Sequence, residues 1–263
     1  MKKKNGALSK LYVILVLFLT YLPVFVVVLY SFNNSKYGNW EGFSFTWYDK
    51  LFQNRQIWRS LKNTLILAFS SCFLSILIGT AGAVGMAKSR FRTMNLLENV
   101  SMIPMMLPEI ILGMAYLAFF SILKIPFGML TLIIAHTTFC VPYIYINVQS
   151  RLVGLDPSFV EAARDLGASP TRAFIDVTLP LIAPAVLSGA LLALAMSMDD
   201  VVISFFVTGT TSNTLPLQVY SMLKMGVTPE VNALCTLILL VVFGCIGLYY
   251  LFMSLYRRRA EKQ

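Results

Sequence analysis

Apolar runs long enough to cross a bilayer recur along the whole chain, and hydrocarbon permits very few folds. Such runs occupy residues 11–32, 63–87, 96–123 and 129–148, a stretch from just past 180 to about 206, and 231–256. Each approaches or exceeds the roughly 20 residues that a helix needs to span the hydrocarbon, whereas a transmembrane barrel would show alternating segments of about 10. The chain therefore reads as an all-α membrane protein with six transmembrane helices. Composition agrees: 57% of residues are hydrophobic and only 13% charged, against about 25% charged in water-soluble domains.

The charges that remain are placed at the ends of the runs. The formal charge of +9 forms no aromatic-interleaved basic patch, so nucleic acid is not an indicated partner. Lys2, Lys3, Lys4, Lys10, Lys88, Arg90, Arg92, Arg151, Arg164, Arg172, Arg257, Arg258, Arg259 and Lys262 fall on one side, and Lys36, Lys50, Arg55, Arg59, Lys62, Lys124 and Lys224 on the other. The positive-inside bias places both termini in the cytoplasm. Residues 1–10 form a basic leader, 11–256 one six-span domain, and 257–263 a basic tail. The first run is too long and too bulky at its end for a cleaved signal peptide. The loop that follows holds Trp40, Trp47 and Trp58, all three tryptophans, and suits an interfacial helix on the outer surface.

Gly79, Gly82 and Gly85 recur at a spacing that allows close helix approach. Pro104 and Pro108 break the third span. His136 has no companion of metal-ligand type at useful spacing and reads as a bond across helices, and Cys72, Cys140, Cys235 and Cys245 make neither a C-x-x-C nor a disulfide framework. No metal site is indicated.

Ionisable groups inside spans cost about 2.5 to 3.5 kcal/mol each on insertion scales, so they mark a cavity or a partner. Counted along straight helices from the inner edge, Glu109 and Asp199 lie about 20 and 24 Å deep, both in the outer half of the bilayer. Two carboxylates at that depth suit ammonium groups spaced along an extended polycation. Asp200 is adjacent to Asp199 and about 100° away around a helix. One of the pair is therefore free to face the pathway while the other caps a broken helix or meets a partner. Met198, Tyr116, Trp47 and Tyr220 are secondary candidates for apolar or cation-π contact with methylene chains.

The one long polar island of the second half is residues 161–180, inside a loop of about 151–182. Glu161-Ala162-Ala163 opens a helix, Gly167 ends it in a left-handed turn, Pro170 restarts a second helix, and Leu179-Pro180 closes that one. Such a knob, small and flat on one face, fits a groove on another protein. Ala162 and Ala163 supply the smooth face, Glu161 caps its own helix or pairs with a basic partner residue, and Arg164 and Asp165 are rim charges.

This island resembles the EAA signature of permease subunits of ABC importers: Glu161-Ala162-Ala163, Gly167, and Val177-x-Leu179-Pro180, with valine standing where the family has isoleucine. The resemblance implies a type I, MetI-like permease fold whose cytoplasmic coupling helix docks into a cleft on a separate ATPase. Further stretches, Ser31 through Ser35, Ser197 through Gly209 and Val219 through Leu234, are similar to the second permease of spermidine/putrescine importers, the PotC type. That likeness implies a bacterial inner-membrane subunit paired with a homologous second permease, two ATPase subunits and an external polyamine-binding protein. This chain has no G-x-x-x-x-G-K-[ST] loop, so ATP and Mg would be bound by the partner ATPase and this chain would be neither an enzyme nor a cofactor carrier. Related permeases share the S-x-D-[DE] element, which leaves thiamine, iron or opine importers open. A secondary transporter driven by an ion gradient would account for the intramembrane acids but not for the EAA spacing.

Overall fold

The computed structural model describes residues 5–36, 39–88, 94–226 and 228–260. Lys2, Lys3, Lys4, Arg90, Arg92 and Lys262, used above to orient the chain, lie outside the described residues. Helices follow one another: α1 (Asn5–Tyr30), α2 (Thr46–Gln53), α3 (Arg55–Lys88), α4 (Met94–Met106), α5 (Glu109–Ile122) and α6 (Met129–Val153). Then come α7 (Ser158–Asp165), α8 (Pro170–Ala173), a π-helical turn at Phe174–Thr178, α9 (Leu179–Asp199), α10 (Val202–Val207), α11 (Leu215–Lys224) and α12 (Pro229–Ala260). Among the described residues five helical runs are long and apolar enough to cross a membrane, and α4 with α5 form a sixth candidate bent by 106°.

That bend corrects the depth assigned to Glu109 by counting along a straight helix. Pro108 takes the extended conformation (ψ 133°) just before α5, and Glu109 is the first residue of the new helix. Proline disfavours the helical conformation in the residue before it, so Leu107-Pro108 is a natural breakpoint. The fifth span is likewise not one helix to residue 206: α9 ends at Asp199, and Asp200 is extended (ψ 127°).

The second span starts earlier than hydropathy indicates. Asn54 Oδ1 accepts from the backbone N–H groups of Gln56 and Ile57 at 3.1 and 3.3 Å, a side-chain cap that starts α3 at Arg55. Its 34 residues extend about 51 Å, well beyond the roughly 30 Å of hydrocarbon.

The chain divides into two compact units, Met1–Ile57 with Ser221–Gln263, and Trp58–Tyr220. In the first unit α12 packs against α1 and α2, and Asn54 Nδ2 donates to Glu230 Oε1 at 2.7 Å. The loop after α1 is organised by Asn33, wholly buried, whose side chain donates to the Asn39 carbonyl (2.7 Å) and accepts from Glu41 N–H (3.0 Å). Trp47 is only 7% exposed, and its indole N–H donates to the Asn33 carbonyl at 2.8 Å. It is a peg in this unit rather than an interfacial ring; Trp40 and Trp58 are the exposed ones.

The second unit is built around α6, whose buried face includes Leu132, Ala135, His136, Cys140, Ile144 and Val148. Close approach of α3 is set by Gly79, where an added Cβ would stand 2.8 Å from Ile144 Cβ and 3.1 Å from the Val141 carbonyl oxygen. At Gly82 an added Cβ would make only an ordinary 3.8 Å contact with the Tyr145 ring, and Gly85 meets nothing within 4 Å, so of the three spaced glycines Gly79 alone is required by this approach. On the other side Gly189 lets α9 approach the α6 backbone, with the Ile144 Cα 3.0 Å from an added Cβ. The thiols of Cys72 and Cys140 donate to the carbonyls of Ala190 and Ala193 at 3.3 and 3.4 Å, joining α3 and α6 to the same face of α9.

Candidate functional site

Where α9 stops, four elements of the second unit converge on one imidazole. His136 of α6 is fully buried, with Nδ1 2.8 Å from Ser197 Oγ and Nε2 3.2 Å from Ser204 Oγ. Ser71 of α3 extends the chain to Ser197 at 3.1 Å. Asp200 Oδ2 lies 3.4 Å from His136 Nε2. The same carboxylate caps the start of α10, accepting from Ile203 N–H on Oδ1 (3.1 Å) and from Ser204 N–H on Oδ2 (2.7 Å). A carboxylate withdrawn from water needs such donors, and two backbone amides plus an imidazole supply them.

The helix break therefore separates the two neighbouring acids. Asp200 is buried in the knot, while Asp199, the last residue of α9, is exposed. Glu109, also exposed, opens α5, where a negative charge is favoured by the helix dipole. It lines a cavity of about 220 Å³ together with Pro108, Leu112, Phe139, Tyr143, Met196 and Ile203. Met196 and Ile203 flank the α9–α10 break, so Glu109 and the break border one space. Asp199 is not among the residues lining it.

The secondary candidates separate. Tyr116 stacks on Phe120 (centroids 6.2 Å apart) and packs against the core. Met198 and Tyr220 are exposed, and Trp47 is the buried peg of the first unit, with Lys50 Nζ 4.2 Å from its ring centroid.

The island folds as a knob with no buried residue on its first helix, α7. That helix begins at Ser158 rather than at Glu161, because Asp156 Oδ1 accepts from Ser158 N–H at 2.9 Å. These hydrogen bonds from Ser158 hold the Asp156 carboxyl below its ordinary range. Gly167 has φ +88°, with Ala168 N–H bonded to the Ala163 carbonyl (3.0 Å) and Gly167 N–H to that of Arg164 (2.9 Å), the Schellman end. Ser169 Oγ accepts from Arg172 N–H (3.3 Å) with Pro170 as the first residue of α8. Leu179-Pro180 does not close a helix. It opens α9, where proline's missing N–H is tolerated after the π turn. Arg151 Nε donates to the Leu181 carbonyl at 3.1 Å, tying the end of α6 to the start of α9 across the base of the knob.

Glu161, Ala162, Arg164 and Asp165 are exposed and Ala163 is half-buried. Two apolar side chains that motif spacing does not single out, Phe159 (55% exposed) and Leu166 (90% exposed), also stand on the knob. Among the described residues no three His, Cys, Asp or Glu side chains form a group able to hold a metal.

Residues 75–262 match the family described as binding-protein-dependent transport system inner membrane component. The chain belongs to this family. Its relatives within that family include the spermidine/putrescine transport system permease protein PotC of Haemophilus influenzae, 40% identical over 229 residues, covering 87% of this chain and 89% of that protein. The putrescine transport system permease protein PotI of Escherichia coli is 40% identical over 261 residues, covering 95% and 92%. Among solved structures, the fold is similar to a bacterial ABC transporter involved in import of the acidic polysaccharide alginate, with a TM-score of 0.72 at 16% identity, covering 97% of this chain and 98% of the other. As an inner membrane component with several apolar helices, the chain is a multi-pass membrane protein with the permease fold of ABC importers.

Proposed function

We propose that this chain is the second permease subunit of an ATP-driven importer for polyamines, spermidine and putrescine being the expected cargo. The observation that carries this reading is the 40% identity, over 87% of the chain, to a spermidine/putrescine permease. The acids at the α4–α5 and α9–α10 breaks add a chemical reason, since ammonium groups require carboxylates at places where helices open. The chain forms the pathway with a homologous permease and receives cargo from an external binding protein. Two ATPase subunits, which bind ATP and Mg, drive it. Both termini and the knob face the cytoplasm.

In this reading Glu109 and Asp199 face the cargo, while the His136 knot fixes the α9–α10 break and keeps Asp200 turned inward. Trp47 and Tyr116 serve packing, whereas Met198, next to Asp199, and Tyr220 are exposed and are the candidates for contact with the methylene chains. The knob transmits ATPase closure: α7 docks through Glu161, Ala162, Ala163, Arg164 and Asp165, Gly167 sets its end, and Leu179-Pro180 passes the movement into α9. The Arg151 to Leu181 bond makes that passage stiff.

The test is uptake in cells that express the chain with its partner subunits. Labelled spermidine uptake is expected to persist when the proton gradient is collapsed and to stop when ATP is depleted. The reverse pattern would point to an ion-driven carrier, and ATP-dependent uptake of thiamine or iron in place of spermidine would reassign the cargo.

A further inference from the structure

A second acidic cleft lies at the end of the second unit from which the knob emerges. It has a volume of about 350 Å³ and is lined by Met86 of α3, Glu98 of α4, and Tyr145, Gln149, Leu152 and Val153 of α6. It shares no residue with the cavity at Glu109.

Its polar groups are held in place and incompletely used. Gln149 Nε2 donates to Glu98 Oε1 at 2.8 Å, which orients the carboxylate. Tyr145 is only 2% exposed, yet its hydroxyl has no hydrogen-bond partner. The ring is held by its burial in the core beside Ile144 and Val148, with Gly82 of α3 facing its edge. Buried polar groups are normally paired, so an unpartnered phenol beside an oriented carboxylate marks a place for a donor. The remaining walls, Met86, Leu152 and Val153, are apolar.

We propose that this cleft is a subsite for a primary alkylammonium, an inference that rests on the polyamine importer reading for its cargo. The ammonium N–H groups donate to the second oxygen of Glu98 and to the Tyr145 hydroxyl, and the methylene chain lies against Met86, Leu152 and Val153. An ammonium has three donors and no acceptor, so it can serve the Glu98 oxygen that Gln149 leaves open together with a lone pair of the Tyr145 hydroxyl. Cargo leaving Glu109 thus meets a second anionic station before the coupling loop. The wall from α6 is continuous with the segment that Arg151 ties to α9.

The experiment uses the complete importer in nanodiscs and a spermidine derivative carrying a photoreactive group, with labelled peptides mapped by mass spectrometry. Labelling is expected on α6 within residues 145–153, protected by n-butylammonium. Glu98→Gln, which keeps the shape and can still meet Gln149, should reduce that labelling about tenfold, the loss of one charge-assisted hydrogen bond. Tyr145→Phe should reduce it less, and both variants should retain subunit assembly and basal ATPase activity. Labelling unchanged by Glu98→Gln, confined to the surroundings of Glu109, protected by added lipid but not by n-butylammonium, or absent altogether would overturn the subsite. If the cleft is labelled and protected by n-butylammonium while the wild-type importer takes up no spermidine with ATP, the importer reading fails and the ammonium subsite stands.

Discussion

His136 Nδ1 and Ser197 Oγ lie 2.8 Å apart although 61 residues separate them, and this contact joins α6 to the last turn of α9 just before the helix breaks. Through Ser204 and Asp200 the same ring reaches the first turn of α10. One side chain therefore holds both ends of the interruption that separates Asp199 from Asp200.

Removing that ring should loosen the break. His136→Ala leaves Ser197 and Asp200 short of partners in a dry site, a loss of about 1–3 kcal/mol for each unsatisfied group. The purified complex is expected to melt at lower temperature and to transport more slowly. His136→Asn, which retains a donor and an acceptor, should recover part of both, and equal damage from the two variants would argue against a hydrogen-bonding role.

Glu109 is exposed to its cavity and makes no contribution to the knot, so its charge can be removed without unfolding the chain. Glu109→Gln is expected to lower polyamine uptake about tenfold to a hundredfold, the range for one hydrogen bond to a charged group, with subunit assembly unchanged. Uptake at the wild-type rate would remove Glu109 from the pathway.

Close packing at Gly79 predicts a contrast with Gly85. Gly79→Val drives a side chain into Ile144 and the Val141 carbonyl and should destabilise by about 1–3 kcal/mol. Gly85→Ala meets open space within α3 and should leave stability unchanged or raise it by up to about 1 kcal/mol. Thermal melting of the two purified variants compares them directly.

At the knob, Leu166 caps the end of α7 and is 90% exposed, and Ala163 lies on α7 three residues before it. Ala163→Asp and Leu166→Glu should each release the ATPase on co-purification while leaving the helices intact by circular dichroism. Retention of a coupled ATPase by both variants would exclude α7 as the docking element.

The helical runs, the proline breakpoint and the left-handed turn at Gly167 were legible because each is a local signal: a run length, a proline, a glycine at a helix end. The His136 knot was not, since Ser71, Ser197 and Ser204 are ordinary serines in apolar stretches until the fold brings them together. The 106° bend also escaped, because Pro108 marks where a helix breaks but not by how much. Trp47 misled through its company: three tryptophans in one loop suggest an interfacial belt, but Asn33 captures this one inside. The start of α3 at Arg55 was not legible either, because the apolar run begins only at residue 63, nine residues after the Asn54 cap.

The most direct test of the account is spermidine uptake into proteoliposomes that contain this chain, its partner permease and the ATPase, with the binding protein outside. Uptake is predicted to require ATP on the ATPase side, to survive a proton ionophore, and to fall with Glu109→Gln. Uptake that is indifferent to ATP and abolished by the ionophore, or ATP hydrolysis stimulated by the loaded binding protein with no spermidine entering, would contradict it.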